Sequence, residues 1–144
     1  MTTSELYNIA VGLLARRDYS TAEITRYLSR SIGDEEVVSA VITQLREHHY
    51  LDDLKIAENE RDKGIRKLHG PTRIKQEIKQ KGIPDDIITQ VMENAGTDWF
   101  DLAEQYRRKK FGLSLPDDPK EKSKQIRHMQ YKGYPFGIIM ELYA

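Results

Sequence analysis

Residues 61–82 read RDKGIRKLHGPTRIKQEIKQKG and combine dense positive charge with a Gly-Pro break in the middle. The segment contains eight basic and two acidic side chains, whereas the whole chain of 144 residues has a formal net charge of zero. Gly70-Pro71 predicts the end of one helix and the start of another, because proline is well tolerated in the first turn of a helix. Ile74 and Ile78 are four residues apart and predict the buried face of the second helix.

The same helical periodicity extends through the chain on both sides of this segment, and no stretch alternates in the manner of a strand. Nine helices are predicted. The first three are residues 4–17 with Ser4 as N-cap, a helix that begins at the Ser20-x-x-Glu23 capping box and ends at Ile32-Gly33, and a helix from Asp34 to about His49. The next three run from Asp52 to about Leu68, from Pro71 to Gly82, and onward from Pro84, and the last three begin after Asp98, run from about Asp118 to Gly133, and begin at Pro135. Ile9, Tyr27 and Leu68 are predicted to lie on the apolar faces of their helices.

An internal repeat relates these helices. Val37-Val38-x-x-Val41 matches Ile87-Ile88-x-x-Val91 at an offset of 50 residues. Lys81-Gly82-Ile83-Pro84 matches Lys132-Gly133-Tyr134-Pro135 at an offset of 51 residues. The sequence therefore predicts an all-α fold of three tandem three-helix repeats, residues 1–50, 51–96 and 97–144, stacked into an elongated, curved helical array.

Composition restricts the class of protein. Hydrophobic residues make up 38% and charged residues 32% of a chain without cysteine, which favours an elongated shape and a reducing compartment. The N-terminus lacks the pattern of a signal peptide and no apolar run reaches the length of a membrane span, so a soluble, cytoplasmic protein is expected. Charge is sorted along the chain: −5 in residues 1–60, +6 in 61–82, −5 in 83–101 and +4 in 102–144.

The polar residues give no pattern typical of an enzyme. The histidines have neither the HExxH context nor the i, i+4 spacing of a metal site. Asp52-Asp53, Asp85-Asp86 and Asp117-Asp118 all fall at predicted helix starts, where aspartate is expected as a cap. Neither GxxxxGK[ST] nor GxGxxG is present. We therefore expect no catalysis, no cofactor and no metal.

The basic side chains are the candidate functional residues. One interpretation is a solvated face, and the other is a contact surface for phosphate or for an acidic protein. Arg61 and Arg107 occupy related positions near the inner face, where each is able to tie helices together instead, and this structural role is favoured for Arg61. Trp99, Tyr106 and Phe111 are able to stack on bases, although core packing is favoured for the first two. The candidate contact residues are Lys63, Arg66, Lys67, Arg73, Lys75, Lys79, Lys81, Arg107, Arg108, Lys109, Lys110, Lys120, Lys124 and Arg127.

Several short patterns in the chain resemble the RecX family, bacterial regulators of the RecA recombinase. They are Arg17-x-x-Ser20-x-x-Glu23-Ile24, Tyr50-Leu51-Asp52-Asp53-x-x-Ile56-Ala57, Gly70-Pro71-x-Arg73-Ile74-x-x-Glu77-Ile78-x-x-Lys81-Gly82-Ile83, and Lys132-Gly133-Tyr134. The third pattern is the most specific in order and spacing. The family usually has Gly-Phe where this chain has Gly133-Tyr134.

The resemblance implies a non-catalytic protein of three tandem three-helix units that binds the groove of the RecA filament on single-stranded DNA. It further implies inhibition of strand exchange, of ATP hydrolysis and of coprotease activity, with loss of filament. The processes concerned are homologous recombination, DNA repair and the SOS response, and a monomer is expected. One alternative is a DNA-binding regulatory protein that competes with RecA for the strand, or a helix-turn-helix regulator, and weak direct binding to DNA is possible in addition. Another is a repeat scaffold for a different partner.

Overall fold

The computed structural model describes all residues from Met1 to Ala144 as nine α-helices without a strand, which confirms the all-α prediction. The helices are α1 (Thr3–Leu14), α2 (Thr21–Ser31), α3 (Glu35–Glu47), α4 (Asp53–Arg66), α5 (Pro71–Gln80), α6 (Asp85–Glu93), α7 (Trp99–Phe111), α8 (Pro119–Tyr131) and α9 (Phe136–Leu142). None of them is long and apolar enough to cross a membrane.

Side-chain caps fix most of the helix starts. The capping box at Ser20 and Glu23 is present as predicted, with each side chain accepting from the other residue's backbone N–H. Asp52 accepts from the N–H of Lys55, which confirms its predicted role as an N-cap. The predicted cap at Ser4 is wrong. Thr2 caps α1 instead, because its hydroxyl accepts from the N–H of Glu5, three residues on.

Three separate buried clusters divide the helices into successive groups of three. We call these groups unit 1 (α1–α3), unit 2 (α4–α6) and unit 3 (α7–α9). Unit 1 is centred on Leu6, Leu28 and Leu45. Ile74 and Ile78 are fully buried in the unit 2 cluster, as predicted, whereas Met129 and Ile139 are fully buried in the unit 3 cluster. The unit boundaries at residues 50 and 96 stay a prediction.

Two residues predicted to be on apolar faces are largely exposed. Ile9 and Tyr27 each keep 44% of their accessible surface. Leu6 and Ala10 occupy the centre of the buried stripe of α1, so Ile9 lies at its edge. The ring of Tyr27 contacts Tyr19 edge-on, with centroids 6.5 Å apart, instead of entering the core.

Leu68 was also placed on a helix face by its spacing, and this prediction is wrong. Helix α4 ends at Arg66, and Leu68 adopts a left-handed backbone conformation with φ of 59°. The N–H of His69 then donates to Gly64 O at 2.9 Å, as in a Schellman motif. This turn directs Leu68 away from its own helix, so that it packs against the unit 3 cluster.

Glycine turns join each unit to the one before it. At the first joint, the Lys81-Gly82 turn of unit 2 meets the start of α2, and the Ser20 hydroxyl donates to the carbonyl of Lys81. Gly82 has a φ of +80° and lies against the methyl group of Ala22, leaving no room for a Cβ atom.

The second joint repeats this arrangement one unit further along. The N–H of Gly70 donates to Lys132 O at 2.9 Å, and the N–H of Thr72 donates to Gly133 O at 3.0 Å. A Cβ atom on Gly70 would overlap the carbonyl of Gly133. The start of α5 is thus closed by the turn after α8, just as the start of α2 is closed by the turn after α5.

The ends of the array lack such a joint. Asp118 fills the equivalent position in unit 3 and caps α8 with its own side chain, which accepts from the N–H of Lys120. At the other end nothing lies within 4 Å of a Cβ built on Gly33. The chain exposes 9004 Å², compared with about 7,700 Å² for a compact monomer of its mass. This excess agrees with an elongated array.

Candidate functional site

The predicted cations on α4 and α5 divide into free and paired side chains. Lys63, Arg66, Lys67 and Lys75 are exposed and form no ion pair. The first three lie at the C-terminal end of α4, where the helix dipole favours positive charge. Their charge is therefore available to a partner.

Lys79 and Lys81 have acidic neighbours. Lys79 Nζ lies 3.9 Å from Asp85 Oδ1, but both side chains are more than two-thirds exposed, at 71% and 84%. Such a pair contributes little. Lys81 Nζ lies 3.7 Å from Glu60 Oε1 in a more enclosed setting. Lys81 therefore connects the end of α5 to α4, as well as offering a charge at the surface.

The four consecutive basic residues of α7 have different environments. Arg107 is only 4% exposed and donates to Gly112 O at 3.4 Å, while its Nε has no hydrogen-bond partner. Its burial takes it out of the set of surface cations. Arg108 pairs with Glu104 at 2.7 Å, and Lys109 and Lys110 are exposed without an ion pair.

Arg61 has the structural role that the sequence left open for it. Its Nη1 donates to the carbonyl of Val91 at 2.9 Å, and its Nε lies 3.0 Å from Asp62 Oδ1. The side chain is 12% exposed. Arg61 thus ties α4 to the end of α6.

The basic residues of α8 follow the spacing seen in the sequence. Lys120, Lys124 and Arg127 are exposed and form no ion pair. Tyr131 continues the same face at the end of the helix and is 73% exposed. This face therefore combines three free cations with an uncovered aromatic ring.

The second joint brings together cations that are distant in sequence. We call Arg73, Lys109, Lys110 and Lys132 the joint cluster. Burial lowers the pKa of Lys132 below its ordinary value, and the positive charges of Arg73 and Lys109 lower it further. Lys132 Nζ also lies 4.8 Å from the centre of the Tyr106 ring. The carboxylate of Glu77 opposes this lowering of the pKa, but it forms no ion pair with the cluster, which therefore remains a region of excess positive charge.

Lys132 was missed among the sequence candidates. A single lysine between helices carries no charge-run signal, and only the repeat match of Lys132-Gly133 with Lys81-Gly82 marked its position. Its proximity to Arg73 depends on a contact between units 2 and 3, which the local pattern does not contain.

The other aromatic candidates belong to the core or its edge. Tyr106 is buried and its hydroxyl is hydrogen-bonded to His128 Nε2, and Trp99 packs against the unit 2 cluster, as predicted for both. Phe111 is half-buried against the unit 3 cluster. Tyr131 is the ring among these residues that remains open for stacking.

His69 and three of the aspartates have structural partners, whereas Asp85 and Asp86 lie in the first turn of α6 without capping it. His69 Nδ1 lies 2.7 Å from Glu77 Oε1 beside the second joint. Asp52, Asp98 and Asp118 cap helices through their side chains. No group of three or more potential metal-ligating side chains is present. The chemistry that the surface offers is recognition of anionic and aromatic groups.

Comparisons with known proteins agree with this architecture. Family sequence models for the first, second and third three-helix domains of RecX match residues 7–45, 61–92 and 97–142. The regulatory protein RecX of Vibrio parahaemolyticus is 39% identical over 130 residues, covering 90% of this chain and 84% of the relative. That of Acinetobacter baylyi is 36% identical over 141 residues, covering 98% and 87%.

A solved structure shows the same fold. The crystal structure of RecX from Lactobacillus salivarius superimposes with a TM-score of 0.78 at 23% identity, covering 96% of this chain and 92% of that one. The three matched domains, the relatives and the shared fold lead to one conclusion. The chain belongs to the RecX family of regulatory proteins.

Proposed function

We propose that this protein is a non-catalytic, cytoplasmic regulator that inhibits the RecA recombinase. As a monomer it lies in the groove of the RecA filament on single-stranded DNA. There it blocks strand exchange, ATP hydrolysis and coprotease activity, and it promotes loss of the filament. Its role thus falls within homologous recombination, DNA repair and the SOS response.

The observation that carries this proposal is the set of exposed cations without ion pairs on units 2 and 3. Lys63, Lys67 and Lys75 come from unit 2, and Lys110 and Lys124 from unit 3. The phosphates of the DNA in a filament attract such cations, and so does any acidic protein surface of the groove. An elongated array fits a groove better than a compact domain does, because it presents more surface for each residue.

Charge reversal on α5 tests the proposal. The double variant Lys75→Glu, Lys79→Glu changes two exposed side chains four residues apart, so the fold is retained. We expect about tenfold more protein to be needed for half-maximal inhibition of the DNA-dependent ATPase of RecA. Inhibition at amounts far below one chain for each RecA would further indicate capping of filament ends.

A matched control comes from unit 1. Arg26→Glu, Arg30→Glu makes the same charge change at the same spacing on the exposed face of α2. We expect this variant to inhibit like the unmodified chain, and both variants to keep their helical circular dichroism. Equal inhibition by the two double variants would refute the role of the α5 cations.

A second candidate function is direct DNA binding that competes with RecA for the strand. The unpaired cations of the joint cluster and the exposed ring of Tyr131 favour it. This function predicts tight, salt-sensitive binding of the protein to single-stranded or duplex DNA in the absence of RecA. The zero net charge of the chain limits the affinity expected from phosphate contacts alone.

A further inference from the structure

A groove crosses the second joint between α5 and the end of α8. It has a volume of about 360 Å³ and is lined by Arg73, Gln76, Glu77, Gln80 and Tyr131. Pockets for small organic groups begin at roughly this size. The joint hydrogen bonds hold its two sides together, so the groove is a built feature of the array and not a gap between mobile segments.

Tyr131 forms an aromatic wall of this groove. The residue is 73% exposed, and its hydroxyl forms no hydrogen bond within the protein. The guanidinium of Arg73 lies over the ring at 5.4 Å from its centre, and His128 lies at 6.2 Å. These neighbours orient the ring while leaving most of its surface free to stack on a planar group.

The groove is lined by one cation and one carboxylate, and further cations lie beside it on the unit 3 side. The guanidinium of Arg73 has no ion pair, and Lys132, Lys109 and Lys110 add to the positive potential on its unit 3 side. Glu77 also lines the groove, with its carboxylate hydrogen-bonded to His69 at 2.7 Å. Burial lowers the pKa of His69, so this partner leaves the negative charge of Glu77 in place. An anionic backbone therefore fits beside Arg73, whereas the groove near Glu77 suits an amino or imino group.

The remaining wall supplies amides. Gln76 and Gln80 are exposed, four residues apart on α5, and both line the groove. Each amide offers a hydrogen-bond donor and an acceptor. Their side chains suit the edge of a heterocyclic base, which carries both kinds of group.

We propose that this groove binds one unstacked nucleobase of a single strand, with the base on Tyr131 and the adjoining phosphates beside Arg73 and Lys132. A single strand is favoured over a duplex because duplex bases are already stacked on their neighbours. It is favoured over an acidic peptide because the ring and the two amides match a base, whereas an acidic peptide needs only the cations. The proposal rests on the second candidate function, direct DNA binding, and deepens it by naming the site and the part of the strand that the site binds.

Binding of a labelled thymidine strand of about twelve nucleotides, followed by fluorescence anisotropy at low salt, tests the proposal. Tyr131→Ala should weaken binding about tenfold, whereas Tyr131→Phe keeps the ring and should bind within about twofold of the unmodified chain. Tyr27→Ala is the matched control, because Tyr27 is an exposed tyrosine of unit 1. It should leave the affinity unchanged.

An abasic strand of the same length distinguishes recognition of the base from recognition of the phosphates. The unmodified chain should bind it about tenfold more weakly than the thymidine strand. Equal binding of the two strands, an unchanged affinity of Tyr131→Ala, or no binding of the thymidine strand by the unmodified chain would each overturn the proposal. So would a loss of binding to DNA-free RecA by Tyr131→Ala without loss of strand binding, because the groove would then be a protein contact. ATPase inhibition is measured separately, so failure here is distinct from failure of the proposed function.

Discussion

Gly70→Ala should destabilise the protein strongly, and by more than the replacement of an N-cap glycine by alanine costs in itself. The φ of Gly70 is −75°, so the backbone conformation itself accepts alanine. The added Cβ atom would overlap the carbonyl of Gly133 and come within 2.5 Å of the nitrogen of Tyr134, where ordinary contact begins at 3.4 Å. The turn after α8 must therefore retreat by about 1 Å.

That retreat breaks the second joint. The hydrogen bonds from Gly70 to Lys132 and from Thr72 to Gly133, now 2.9 and 3.0 Å, would lengthen beyond hydrogen-bonding distance. Two lost hydrogen bonds and the overpacking outweigh the small entropic gain of alanine in the unfolded chain, for a net loss of about 2–4 kcal/mol in the free energy of unfolding.

Urea unfolding followed by circular dichroism at 222 nm measures this loss. Gly12→Ala is the matched control, because nothing lies within 4 Å of a Cβ at that exposed position of α1. It should stabilise the protein by about 0.5–1 kcal/mol. If the free energy of unfolding of Gly70→Ala equals that of the unmodified chain, or rises as that of Gly12→Ala does, the close packing of the joint is refuted.

Two further predictions concern unit 3. Tyr134→Phe should lower the free energy of unfolding by about 1–2 kcal/mol in the same assay, because the Tyr134 hydroxyl donates to Leu68 O at 2.8 Å and its loss leaves that carbonyl unpaired; no change would mean that water replaces the hydroxyl. Burial, with nearby lysine charges, lowers the pKa of His128, whose unfolded value is about 6.5. The unfolded chain therefore takes up a proton first, and stability should fall as the pH drops below about 6.5. His128→Gln should reduce this decline, and an identical pH profile would contradict it.

The helices were predictable because their signals are local. The capping box at Ser20, the proline at the start of α5 and the isoleucine pair of that helix each act within one or two turns. Spacing was less reliable at helix ends. The helix α4 was predicted to continue to about Leu68 because Leu68 continues the apolar period, but the helix ends at Arg66 and Leu68 has a left-handed backbone conformation.

The joints were not predictable from the same signals. Gly70 and Gly133 are far apart in sequence, and each was interpreted as a helix boundary in its own unit. Their direct contact depends on how two units pack, which no local period encodes. The sequence left two roles open for Arg107, because its repeat match with Arg61 indicated the inner face while its position in a basic run indicated the surface. Its three basic neighbours suggested a charged face, whereas the position of the whole helix on unit 3 turns this one side chain inward.

The same joint controls both stability and the candidate site. A Cβ atom built on Gly133 would overlap the Cβ and the backbone nitrogen of Arg73, because the turn after α8 packs directly against Arg73. This packing fixes the position of Arg73. The guanidinium of Arg73 in turn lies over Tyr131, two residues before the glycine. Any change that moves the turn must therefore move the cation relative to the ring. Gly133, which allows unit 3 to approach unit 2, thus also sets the relative positions of the cation and the ring that are proposed to bind a phosphate and a base.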